Sequence, residues 1–194
     1  MIWLRNRTHS RAPVRIALAA LATLATLASA GCGYSSHLAL DHNVQTIGIE
    51  IFGNDTRERD VERDLHGELS RAVRNLVDAN IATPSRADAV IRGKLIRFGR
   101  FGGIRSPDNE LLQTGLSIQT RVTLTDRRTG EDLAGPLEIG VDLGFSITGV
   151  GMEAEARRRA LRNLAERITL DLFTAAALRR DEALEEERKK ALNQ

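Results

Sequence analysis

The sequence predicts an α+β fold: a two-layer sandwich in which a four-stranded mixed sheet carries two helices on one face, in the order β-α-β-β-β-α. Three observations predict it. Apolar residues alternate in short runs such as "VQTIGIEIF" and "LSIQTRVTLTD"; an amphipathic helical stripe follows the first run; a second helical stripe closes the chain. A strand, a helix and a strand in succession form a right-handed crossover, so the first two strands are expected to be parallel and the remainder an antiparallel meander. With aromatics at only 4% of 194 residues, a single core of Leu, Ile, Val and Ala is expected.

The first strand is expected over residues 44–52, with Ile47, Ile49 and Ile51 on one face. Gly53, Asn54, Asp55 and Thr56 then supply a turn and a helix N-cap, with Glu58 and Asp60 in the first helical turn, where the dipole favours acids. This helix is expected to run to about Asp78 on a stripe of Val61, Leu65, Leu69, Val73, Leu76 and Val77. Pro84 and Ser85 break the chain before a second strand, residues 88–101, whose alternation is imperfect. The third strand, residues 116–126, places Leu116, Ile118, Val122 and Leu124 on one face. "DRRTG" is a hairpin turn with Gly130 where a positive φ is needed. The fourth strand is interrupted at Gly135-Pro136, where a bulge or an edge position is expected. The final helix begins near Glu153 and buries Leu161, Leu164, Ile168 and Leu172; beyond Leu178 charges dominate, and the last turns extend into solvent or fray.

Ahead of the domain, residues 1–31 hold Arg5, Arg7, Arg11 and Arg15 and no acid, then an apolar run from Ile16 to Leu27, then Ala28, Ser29, Ala30 and Gly31. A positive region, an apolar block and small residues describe a secretory signal; the block is too short and weakly apolar to span a bilayer. Without these four arginines, the 28 Lys and Arg of the chain fall to 24, against 26 acids. The overall charge of +2 therefore belongs to the leader and does not point to nucleic acid. The only cysteine, Cys32, follows directly and resembles the acceptor of the bacterial lipobox: Ala30 and Gly31 match, whereas Ser29 stands where an aliphatic residue is usual. A lone thiol in an exported chain has no disulfide partner, and acylation (palmitate among the chains) anchors it to a membrane. Gly33, rather than Asp, follows the cysteine, as in lipoproteins sorted to the outer membrane. Ala28-Ser29-Ala30 offers a competing cut before Gly31. The organisation read from the chain is a signal (1–31), a lipidated tether (32–43), a domain (44–178) and a charged C-terminal extension (179–194).

No catalytic constellation stands out. Cys32 lies outside the domain, and His66 falls on the first helix between Leu65 and Leu69. His37, Asp41 and His42 sit on a tether too flexible for a metal site. Gly149-x-Gly151 reads as a tight turn into the last helix, because the parallel strand that a dinucleotide site requires is missing after it. Neither a metal nor a cofactor is expected, and the chain is not read as an enzyme. One charge pattern is distinctive: from Arg92 to Arg128, eight cations face three acids, and "RFGRFGGIR" interleaves Arg97, Arg100 and Arg105 with Phe98 and Phe101. With Lys94, these cations either bind a phosphorylated lipid, aromatics meeting its acyl chains, or protect an exposed sheet edge.

The segments "GCGYSS", "VQTIGIEIFGNDTRERDVERDLHGELSRAVRNL", "ADAVIRGKLIRF" and "VTLTDRRTGEDL" together resemble the LptE family of lipopolysaccharide-assembly lipoproteins, over about residues 32–178. The resemblance implies an outer-membrane lipoprotein, lipid-anchored at Cys32 on the periplasmic side. It would plug and help assemble a large LptD-like β-barrel and contact lipopolysaccharide on its way to the surface. The lipopolysaccharide candidates Lys94, Arg97, Arg100 and Arg105 rest on local charge. Two other readings are a periplasmic lipoprotein that regulates cell-wall synthases and, with less support, a lipid or glycan hydrolase.

Trp3 is the only tryptophan, so the processed protein is expected to lack tryptophan emission. Intact mass separates the two cuts: acyl mass on a chain beginning at Cys32, or an unmodified chain beginning at Gly31.

Overall fold

The computed structural model describes Leu38, residues 44–147 and residues 149–192; the leader, Cys32 and the rest of the expected tether lie outside the described residues. The elements are β1 (Thr46–Ile49), β2 (Gly53–Asn54), α1 (Val61–Leu76), β3 (Asn80–Ala82), β4 (Ala89–Arg105), β5 (Leu111–Asp126), β6 (Asp132–Ser146) and α2 (Met152–Leu192). The two-layer α+β class holds, but the sheet has six strands rather than four, ordered β3-β1-β4-β5-β6 with β2 alongside β4. β1 and β4 are parallel, as the crossover requires, and β4, β5 and β6 form the antiparallel meander.

The two extra strands come from local breaks. The expected strand over 44–52 ends at Ile49, because the chain gains one residue against β4 between the Ile49↔Ile91 and Gly53↔Lys94 pairs. That residue reverses the face. Ile51, expected inside, is 62% exposed, and Phe52 takes the core position over Gly93. A Cβ on Gly93 would lie 2.9 Å from the Phe52 ring and 2.7 Å from the Arg121 carbonyl oxygen, so the close approach depends on glycine. β3 is only "NIA", too short to leave a periodic signal, and pairs with β1 on the opposite edge from β6.

Helix α1 starts at Val61 with Asp60 before it, later than the turn and cap expected over residues 53–56. Asn54 explains this: its Oδ1 accepts from the Thr56 amide (2.9 Å) and hydroxyl (2.7 Å), and its Nδ2 donates to the Glu58 carbonyl (2.7 Å) and Glu62 Oε2 (2.8 Å). The side chain thus holds a turn, and Asp60, left-handed at φ 60°, takes the position before the helix. Glu62 and Asp64, not Glu58 and Asp60, are the first-turn acids. α1 buries Val61, Leu65, Leu69, Ala72 and Val73. α2 buries Leu161, Leu164, Ile168 and Leu172 as expected, with Ala156, Ala160, Ala165 and Ala176 allowing close approach to the sheet. The two helices and the facing sheet side chains form one apolar cluster. α2 remains helical to Leu192, and residues 179–192 are exposed throughout.

The crossover is pinned where β1 and β4 begin. Asp88 Oδ2 accepts from Thr46 Oγ1 (2.7 Å), the Thr46 amide (2.9 Å) and the Gln45 amide (3.1 Å), while the Asp88 amide donates to Thr46 Oγ1 (2.9 Å). The Thr46 hydroxyl first, then these amides, hold the Asp88 carboxyl below its ordinary pKa. A lowered folded-state pKa means stability that is present above the unfolded value and lost as pH falls through the acid range. Asp88→Asn is therefore expected to flatten the fall in melting temperature below about pH 4, set by the usual Asp pKa. Leu161→Ala, which empties a fully buried site, is expected to cost about 2–5 kcal/mol in urea unfolding.

Candidate lipid-contact end of the sheet

The geometry of the cationic segment follows from one bulge. Leu95 pairs with Thr120 and Arg97 with Gln119, so Ile96 has no partner and the alternation of β4 shifts by one. Before it, Ala89, Ile91 and Leu95 point into the core; after it, Phe98, opposite Ile118, does. Arg97 joins Lys94 on the outer face of the sheet, while Arg100 follows Phe98 to the helix side.

The outer face is a ladder of exposed ion pairs. Arg92 Nε meets Glu50 at 3.0 Å, Lys94 Nζ meets Asp55 at 2.6 Å, and Arg121 Nη2 meets Glu138 at 2.5 Å. Arg97 has no ion pair among the described residues. On the helix side Arg100 pairs with Glu153 in the first turn of α2. Arg157, one turn further, lies over the Phe98 ring (5.6 Å) and bonds Glu58 (2.5 Å) and Asp64 (3.1 Å), tying α2 to the start of α1. Arg105 Nη1 donates to the Asn109 carbonyl (2.8 Å) within the turn joining β4 to β5. The four candidate cations therefore do not form one face: Lys94 and Arg97 lie outside, Arg100 inside, and Arg105 at the tip. Cys32 lies outside the described residues.

Lys94 lies in the middle of the sheet, paired with Arg121, whereas Arg100 and Arg105 lie toward one end of the molecule. The close of β4, the start of β5 and the close of β6 lie together, and the Ile147 amide donates to Leu112 O at 3.1 Å. Here Phe101, Ile104, Leu112, Ile147, Val150 and Met152 are exposed; Val150 is fully so. Phe101 covers Gly115, where a methyl group would overlap its ring. Phe101 falls within the cationic motif of the sequence; the other five come from three stretches, the close of β4, the start of β5 and residues 147–152, which the strand pairing brings together. Gly149 (φ 135°) and Gly151 (φ 80°) turn the chain into α2, as expected. His66 is half-buried on α1, its Nδ1 without a hydrogen-bond partner among the described residues.

These features define a small α+β domain with a mixed apolar and cationic end. The chain belongs to the LptE family: that lipopolysaccharide-assembly family matches residues 44–174, more than half of the chain. A Xanthomonas campestris protein of family DUF330 has the same fold, with a TM-score of 0.51, 14% identity, and coverage of 78% of this chain and 93% of that one. Lipoprotein B of Nitrosomonas europaea gives 0.46 and 14%, covering 77% and 96%. A minor lipoprotein of Acinetobacter baumannii gives 0.42 and 13%, covering 68% and 92%. No curated protein matches the chain.

Because the Arg100–Glu153 pair is more than half exposed on both sides, Arg100→Ala is expected to change thermal stability by less than about 1 kcal/mol. Replacing Phe101 and Ile104 together by serine is expected to reduce binding of a hydrophobic fluorescent dye while leaving the circular dichroism spectrum unchanged.

Proposed function

We propose that the protein is an outer-membrane lipoprotein subunit of a lipopolysaccharide translocon. It is anchored through acylated Cys32, plugs and helps assemble an LptD-like β-barrel, and contacts lipopolysaccharide during delivery to the outer leaflet. The observation that carries this reading is the family match across residues 44–174. The exposed end supports it chemically. Arg97 has no ion pair among the described residues, Arg100 and Arg105 hold only exposed partners, and the apolar side chains beyond them offer a seat for acyl chains; Lys94, paired with exposed Asp55, stands further back on the outer face. The role is that of a binding and assembly factor, not an enzyme.

Affinity purification from outer membranes is expected to recover one large β-barrel together with the chain. Repeated recovery of an inner-membrane cell-wall synthase instead would replace the reading with the regulator of cell-wall synthesis. For the ligand, Arg97→Glu with Arg100→Glu is expected to weaken lipopolysaccharide binding about tenfold or more, on the scale of one lost charge-assisted contact, with the melting temperature little changed. Unchanged binding would remove these arginines from the contact.

A further inference from the structure

β6 forms one edge of the sheet along 15 residues, and a long edge strand offers its outward N–H and C=O groups to another chain. Helix α2 reaches across this edge with two arginines. Arg167 Nη1 donates to the Gly140 carbonyl at 3.1 Å. Arg179 donates from Nη1 to the Asp132 carbonyl at 3.0 Å and from Nη2 to the Gly135 carbonyl at 3.2 Å. Between these points Pro136 has no N–H to offer. Asp171, one turn beyond Arg167 with Oδ2 3.6 Å from its Nε, helps to hold that guanidinium over the strand. Two charged side chains are thus spent on main-chain carbonyls at a sheet edge.

We infer that Arg167 and Arg179 guard the β6 edge, preventing a second copy of this chain from adding its own β6 to the sheet. A second copy is the occupant that this edge selects. β6 can meet itself antiparallel about a two-fold axis, with Val141, Leu143 and Phe145 continuing a regular alternation. Gly140, Asp142 and Gly144 share one parity, so their main-chain groups point away from β5 together. The guards close residues 132–140, so two copies could meet only over residues 141–146 instead of along the whole strand, which weakens their pairing. This inference goes beyond the proposed function and does not depend on it.

The test uses the full chain in neutral detergent micelles, comparing wild type with Arg167→Ala/Arg179→Ala by light scattering and amide hydrogen exchange. Wild type is expected to hold one copy. The double variant is expected to associate into dimers at about tenfold lower concentration or less, a factor typical of hydrogen bonds from charged groups. Exchange at Gly140, Asp142 and Gly144 slows in parallel. A folded double variant that keeps one copy and wild-type exchange overturns the inference. So does association without slowed β6 amides, or a wild type already paired there. Should the double variant fail to fold, Arg167→Ala alone, which frees only Gly140, is expected to show the same protection to a lesser extent; no change in it also overturns the inference.

Discussion

The layout of the far end of the sheet depends on the bulge at Ile96. One unpaired residue in β4 keeps Leu95 and Phe98 on the same face, so the core extends toward the tip instead of ending at a charge. The same shift turns Arg97 outward and Arg100 toward α2. Without it, Arg97 would follow Leu95 into the layer between sheet and helices, where an unpaired guanidinium is costly. The bulge therefore sets the faces that Arg97 and Arg100 take, and the long β4–β5 hairpin carries the end of the sheet beyond the core.

Much of the fold was readable from pattern, because burial on one face leaves a period in the sequence. The stripe of α1, the buried leucines of α2 and the β5 alternation follow from it, whereas the bulge or edge expected at Gly135-Pro136 follows from the missing N–H of proline. What was not readable came from single-residue events. The extra residue between Ile49 and Gly53 exchanged Ile51 for Phe52 in the core, and Asn54 held a turn that delayed α1. β3 was too short to carry a period. At the candidate site the charges could be found from local composition, but their grouping could not, since it depends on the bulge. The apolar rim was hidden for another reason: Ile104, Leu112, Ile147 and Val150 are ordinary residues from three stretches of chain, and only their shared exposure after pairing distinguishes them.

The two ends of the domain differ in kind. Leu38 pairs with the chain at the close of α1, its amide donating to the Leu76 carbonyl (2.8 Å) and its carbonyl accepting from Asp78 (3.2 Å). The start of β4 lies at that end, while the apolar rim lies at the other, separated by 17 residues of strand or roughly 50 Å at about 3.3 Å per residue. In the proposed function, the rim is the end that reaches into a partner. The ion-pair ladder on the outer face and the arginines over β6 keep the surfaces between the two ends polar and closed.

The central claim is that the rim is the working end. A photo-activated cross-linking amino acid at Ile104, in the full chain in living cells, tests it most directly. The account predicts cross-links to an outer-membrane β-barrel and to lipopolysaccharide, while the same group at exposed Leu184 on the α2 extension gives markedly fewer to lipopolysaccharide. Cross-links at Ile104 to neither, with the barrel captured only from Leu184, would contradict it.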